Sequence, residues 1–322
     1  MKVAHLRFSG APKAFILPQR LLPIKAKPLA MSNMNEHRRL QMSVVSSRES
    51  LPSGSRTILI TGAAGYLGGI LRAGLSSRYR LRLTDRAPLP TPIGRSEEFL
   101  KAELSDCEAL DSIMRGVDAV VHLGANLKDG PWDSILPDNI IGTYNVFESA
   151  RRCHVRRVIF ASSHHVVGFY RRRHKVSAED PVRPDSHYGV SKVLGEALGR
   201  LYSDKHGMSV ICQRIGVARS CPPHRRALSN WLSERDYLEL TRCCIEAEEV
   251  HFLIVFGVSG NNGSFYDNAT AAAIGFEPKD NADNHRDEPA LLASGSEQPI
   301  EKLFQGGAFC AAGFDGDVNA ID

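Results

Sequence analysis

The chain has 322 residues, of which 43% are hydrophobic and 24% charged, and its formal net charge is +4. That composition is ordinary for a globular protein and excludes disordered, collagen-like or fibrous classes. No stretch approaches the roughly 18 consecutive apolar residues that cross a bilayer, so no membrane partner is expected.

Residues 1–55 carry prolines at 12, 18, 23, 28 and 52, end in a Ser-rich stretch, and lack a periodic apolar pattern. They read as a flexible extension. Nine Lys or Arg against two acidic residues in the first 50 give it the basic, acid-poor character of an organelle transit peptide. A disordered tail, or an upstream start ahead of Met31, Met34 or Met42, stays open beside that reading.

From Arg56 onward short apolar, β-branched runs alternate with helical stretches, the mark of βαβ units. Strands are expected at 57–61, 81–84, 119–123, 158–162, 210–215 and 252–256, and helices at 66–77, 106–115, 138–153, 187–206 and 234–247. The fold class is α/β: a doubly wound parallel Rossmann sheet over 56–216, followed at 217–322 by a smaller substrate lobe. Arg171, Arg172, Arg173, His174 and Lys175 form a basic run without interleaved aromatics, which reads as a solvated loop and not a nucleic-acid patch. The cysteines at 107, 153, 212, 221, 243, 244 and 310 include no CxxC spacing. Neither a metal site nor a disulfide framework is suggested, and a reducing, cytoplasmic setting is expected.

The first strand runs into Gly62-Ala-Ala-Gly65-Tyr66-Leu67-Gly68, which opens a helix. Glycines there let the backbone turn tightly and approach a pyrophosphate, whose charge then sits at the helix N-terminus. The second strand ends at Asp85, about 20 residues on, where a carboxylate can bond both ribose hydroxyls of NAD and repel a 2′-phosphate. The adjacent Arg86 tempers that preference over NADP. Glu103 and Leu104 fall where an acidic and an apolar side chain would flank the adenine, and Leu123, Gly124 and Ala125 would pass the phosphates.

Tyr188 and Lys192 stand at i and i+4, on one face of the helix that begins near His187. A free tyrosine titrates near pH 10, so a neighbouring cation is needed for it to act as a base near neutrality. Lys192 supplies that charge and would also hold the nicotinamide ribose. Ser163, at a strand end about 25 residues upstream, can face Tyr188 and orient a substrate oxygen. Glycine loop, acidic strand end, serine and Tyr/Lys pair occur in the order of a short-chain dehydrogenase triad. In that chemistry the tyrosine removes a hydroxyl proton while hydride leaves the same carbon. Asn139 is read evenly as a relay-water ligand or as a plain helix residue.

Further segments extend the likeness: AsnIleIleGlyThrTyrAsnValPheGluSerAla (139–150), PheAlaSerSerHisHisValValGlyPheTyr (160–170), ArgProAspSerHisTyrGlyValSerLys (183–192), ArgIleGly (214–216) and ArgArgAlaLeuSerAsnTrpLeuSer (225–233). From about Thr57 to the C-terminus the chain resembles the extended short-chain dehydrogenases of the NAD-dependent epimerase/dehydratase type, and among them the uronate dehydrogenases. The resemblance implies oxidation of the anomeric hydroxyl of galacturonate or glucuronate to an aldarolactone. It implies Arg226 as the clamp for the sugar carboxylate, His164 and His165 as sugar contacts beside Ser163, Ile215 at the cofactor, and a homodimer through helices 138–153 and 187–206. Leu127, His164 and Val217 stand where that pattern has serine, asparagine and serine, so the pocket offers fewer partners to sugar hydroxyls. A sugar epimerase or dehydratase, and a non-catalytic NAD-binding protein, are the competing readings.

Overall fold

The computed structural model describes residues 54–128, 130–288, 291 and 297–321. The expectations for the extension ahead of residue 54 lie outside them. Seven strands form one parallel sheet in the order β3-β2-β1-β4-β5-β6-β9. They are β1 (Thr57–Thr61), β2 (Arg80–Thr84), β3 (Glu97–Phe99), β4 (Ala119–His122), β5 (Arg157–Ser163), β6 (Ser209–Ile215) and β9 (Phe252–Gly257). β7 (Val217–Ala218) and β8 (Trp231–Leu232) make a separate two-stranded parallel pair.

Alternation along each buried strand loads both faces of the sheet. Ile58 and Ile60 of β1, Val121 of β4 and Ile159 of β5 enter one core with Leu71 and Leu75 of α1 (Tyr66–Leu75). Leu59, Val120, Val158 and Phe160 enter the other, against Leu110 and Met114 of α2 (Cys107–Met114). Helix α3 (Trp132–Ile135) runs through a π-helical turn, Leu136–Gly142, into α4 (Thr143–Arg152). Val146 and Phe147 of α4 and Tyr202 of α5 (His187–His206) complete the second layer; Tyr237 and Leu240 of α6 (Glu234–Glu246) complete the first. The result is a helix–sheet–helix sandwich.

Helix α5 lies unusually close to the sheet because Ser191, Gly195, Gly199 and Ser203 recur every four residues along its buried face. A Cβ on Gly195 would stand 2.1 Å from Cζ of Phe160 in β5. That approach is what brings the head of α5 to the end of β5. Ser186 caps the helix by accepting from the Gly189 amide at 3.0 Å, and Gly207, at φ +68°, ends it.

Expected helices and strands agree with these bounds to within a residue or two, with two exceptions. β3 is charged and short, GluGluPhe, and carries no apolar run. The expected helix at 138–153 begins six residues earlier, because the π-turn keeps the helical axis running through Pro137. β9 and α6 lie beyond residue 216 and belong to the sheet and its helical layer. The basic run at 171–175 is not simply a solvated loop: Arg172 pairs with Glu297 at 2.6 Å and donates to the Phe304 carbonyl. Arg171 lies over the Phe304 ring and donates to the carbonyl of Ile321. These half-buried guanidinium groups tie down the C-terminal segment, for which the run offers fixed donors; Arg173, His174 and Lys175 remain exposed. No helix among the described residues is long and apolar enough to cross a membrane.

Candidate active site

The parallel strands all deliver their carboxyl ends to one edge of the sheet, and every expected cofactor residue except Tyr66, Leu67 and Gly68 in the first turn of α1 and Lys192 in α5 follows or ends a strand there. Gly62 leaves β1 with φ +68°, and a Cβ on it would lie 2.8 Å from the Gly124 amide nitrogen, so only glycine fits. Gly65, as N-cap of α1, contributes no capping side chain, and the first turn up to Gly68 has no acidic residue. Its N–H groups are therefore free of a competing side-chain acceptor and suit an anion. Tyr66 is exposed and donates to Glu234 at 2.6 Å; Leu67 packs on the core.

Asp85 half-buries beneath this loop. Its carboxylate accepts from the Ala64 amide at 3.0 Å and the Ala87 amide at 2.9 Å, fixing the oxygens at the rim of the cradle. Arg86 turns away toward Asp138, at 3.0 Å, and Glu103, at 3.9 Å. Leu104 lies against Gly124, and Gly124 donates to Thr61 Oγ1 at 3.2 Å. Leu123 and Ala125 flank it, half-buried. The residues present thus fit a dinucleotide: a backbone cradle at a helix N-terminus, an acidic rim and an apolar slot.

On the other side, Ser163 ends β5 and lies in register with Ile215 of β6. Burial pushes the Tyr188 phenol up to about 12, and the neighbouring Ser163 hydroxyl opposes that shift. Lys192 donates from Nζ to the Ala161 carbonyl at 2.8 Å and stands 5.7 Å from the Tyr188 ring centre. Burial pulls its ammonium down to about 7. Tyr188 and Lys192 thus stand beside the end of β5 that carries Ser163, with the charged forms of the phenol and the amine disfavoured by enclosure.

His165 bonds through Nδ1 to Asp185 Oδ2 at 2.7 Å and stacks on Phe309 at 4.0 Å between ring centres. Phe309 also meets Tyr188 edge-on at 6.1 Å. Neighbouring His164 is buried, its Nδ1 finds no partner, and burial beside His165 and Arg226 holds it neutral, far below the usual imidazole range. Arg226 is largely enclosed. Its Nη1 donates to the Gln305 carbonyl at 2.9 Å, and among the described residues no carboxylate lies within ion-pair distance. Burial lowers even this guanidinium, which marks a desolvated cation without a fixed counter-ion.

Leu127 is 66% exposed on the loop after β4, and Val217 lies half-buried in β7. Asn139 is buried with its amide fully engaged: it accepts from the Asn126 amide and donates to Asn126 O and Ser191 Oγ. It clamps the Leu127 loop to the helix bearing Tyr188.

Sequence reasoning assigned no role to Asp185, Phe309 or the strap 304–310. The doublet Gly306-Gly307 between two phenylalanines was the available signal, since paired glycines in an otherwise aromatic stretch mark close backbone approach.

Fold and site together define a dinucleotide-binding α/β protein with the Ser, Tyr and Lys of the short-chain dehydrogenases. The sequence profile of the NAD dependent epimerase/dehydratase family matches residues 58–220, and the chain belongs to that family. It is 38% identical to uronate dehydrogenase from Pseudomonas syringae pv. tomato over 81% of this chain and 95% of that one. An NAD-dependent glucose-6-phosphate dehydrogenase from Haloferax volcanii is 37% identical, over 70% and 94%. A crystal structure of uronate dehydrogenase from Agrobacterium tumefaciens, a mutant complexed with NAD, superimposes with a TM-score of 0.75 at 36% identity, covering 81% of this chain and 98% of that one.

Proposed function

We propose that this chain is an NAD-dependent dehydrogenase that oxidises the anomeric hydroxyl of a uronic acid, galacturonate or glucuronate, to an aldarolactone. The observation that carries the substrate class is Arg226: a largely enclosed guanidinium with no carboxylate within ion-pair distance among the described residues, abutting the strap whose Phe309 packs on His165 and Tyr188. A planar carboxylate is the natural bidentate partner for such a group.

NAD supplies the hydride acceptor. Gly62, Gly65, Tyr66, Leu67, Gly68 and the 123–125 turn cradle it, with Asp85 at the adenosine ribose, Arg86, Glu103 and Leu104 toward the adenine, and Lys192 and Ile215 toward the nicotinamide. Tyr188 Oη, as the phenolate that Lys192 stabilises, takes the proton of the anomeric hydroxyl and becomes a phenol, while Ser163 Oγ holds the same oxygen. A positive charge on the bound cofactor opposes the burial that raises Tyr188, so the site becomes basic only when loaded. His164 and His165 face the sugar, and the segments after 216 other than α6 and β9 form the substrate-covering side.

A second copy of the chain is the expected macromolecular partner. Ile141, Tyr144, Val190 and Leu201 project from the π-turn, α4 and α5 with 41–50% exposure, an apolar face on two adjacent helices.

The test is absorbance at 340 nm with purified protein, NAD and galacturonate, glucuronate, glucose 6-phosphate, neutral aldoses and UDP-sugars. Reduction with the uronates, abolished in Tyr188→Phe, supports the proposal. Turnover confined to another sugar would overturn the substrate assignment. NAD that co-purifies without release, with interconversion of UDP-sugars, would favour an epimerase.

A further inference from the structure

Asp185 immediately precedes the cap of α5, and its side chain is fully enclosed. Oδ2 meets His165 Nδ1 at 2.7 Å, and Oδ1 accepts from Ser186 Oγ at 2.8 Å. Among the described residues no Lys or Arg lies within ion-pair distance of it, so its bonding is directed at the histidine. The enclosure is made by backbone: a Cβ on Gly168 or on Gly306 would stand 1.8 or 1.9 Å from Oδ2. These two glycines are joined by the bond from the Gly306 amide to the Gly168 carbonyl, 2.9 Å, and Cys310 Sγ donates to the same carbonyl. The strap closes over the carboxylate at the only spacing that leaves it room.

A carboxylate accepts and does not donate, so in the neutral His165 ring the proton resides on Nδ1 and Nε2 presents a lone pair. Phe309 fixes the ring plane from the other side, stacked at 17°.

We infer that Asp185 is a positioning residue: it holds His165 in the Nδ1-protonated tautomer, so that Nε2 accepts from a substrate hydroxyl, and it couples that tautomer to closure of the 304–310 strap. Recognition is then divided. Arg226 takes the anionic end of the substrate, and His165 selects a hydroxyl donor over a carbonyl or carboxylate oxygen. The substrate part of this inference builds on the uronate reading; the tautomer does not.

The first measurement is therefore independent of any substrate: ¹⁵N-¹H correlation spectra of the imidazoles above their titration range, with His165 assigned by the signals missing from His165→Gln. Protonation on Nδ1 is expected; protonation on Nε2 overturns the inference. Asp185→Asn and Gly306→Ala are then compared. The first removes the charge, and the second displaces the carboxylate while leaving the side chains of Asp185 and His165 chemically unchanged. Both are expected to give mixed tautomers and to lower kcat/KM for galacturonate by roughly 10- to 100-fold, as loss of a histidine-orienting carboxylate does elsewhere, while NADH affinity by fluorescence is unchanged. A fall in Tm and NADH affinity with the tautomer intact means a structural role alone and sinks the proposal. If Asp185→Asn does not fold, Gly306→Ala and the wild-type spectrum still decide; if no uronate is turned over, the spectrum still decides.

Discussion

Arg226 shows how burial converts an ordinary side chain into a recognition element. Exposed, a guanidinium is fully hydrated and gains little from any one anion. Enclosed by the strap and, among the described residues, without an ion-pair partner, it gains a great deal from a carboxylate that replaces the lost water. Arg226→Met is expected to lower kcat/KM for a uronate by about 10²- to 10³-fold, the range for removing one partner of a desolvated charge pair, mainly through KM, with NADH binding unchanged. Steady-state kinetics with a fluorescence titration check this. The sequence pointed to this residue through its flanking pattern only. No spacing rule separates Arg226 from Arg225, its exposed neighbour, because the choice is made by the direction of a short 3₁₀ turn, Arg225–Ser229.

At the scale of elements, the end of β5 is joined to β6 and α5 by one buried ion pair. Arg214 meets both oxygens of Glu196 at 2.9 Å, and Ser162 Oγ donates to the same carboxylate at 2.6 Å. The two charged side chains are 2% and 7% exposed. Glu196→Ala strands Arg214 in an apolar layer over Phe256 and should destabilise the protein by ~3–5 kcal/mol, read from denaturant midpoints. Since β5 carries Ser163 and α5 carries Tyr188, activity should fall even in the folded fraction. Helix α5 was legible in its bounds, expected at 187–206 and found at His187–His206. The third strand was not, because β3 owes its existence to pairing with β2 and not to its own residues.

For the molecule as a whole, buried neutral histidines govern the acid side of the stability curve. His122 is held down to about 3 by burial and by the Lys192 charge, His164 is held well below a free imidazole by burial, and His224 is shifted the same way. A depressed histidine binds its proton in the unfolded chain first. Stability is therefore complete above about pH 6.5 and is lost as pH falls below it, at ~1.4 kcal/mol per pH unit for each fully shifted group. Tm measured between pH 7 and 5 should show this slope, and His164→Asn, which cannot titrate, should reduce it by one proton's share. Quaternary structure belongs to this scale too. Multi-angle light scattering should give a dimer, and Leu201→Glu, placing a charge on the exposed face of α5, should give a monomer that retains its NADH affinity.

Hydrophobic period, glycine spacing and the i, i+4 pairing of Tyr188 with Lys192 are local properties. The sequence by itself therefore determined the α/β class, the glycine loop at the head of α1 and the pairing of Tyr188 with Lys192 on one helix face. The seven-stranded order, the strap over the site, the Asp185–His165 pair and the role of the basic run at 171–175 were decided by tertiary structure. Each depends on residues more than a hundred positions apart, or on a shared burial, that become neighbours only when the C-terminal segment folds back over the sheet edge. Enclosure there changes what the side chains do: it neutralises His164, lowers Lys192 and desolvates Arg226. No residue carries that information in its identity, because desolvation is a property of the assembled surroundings.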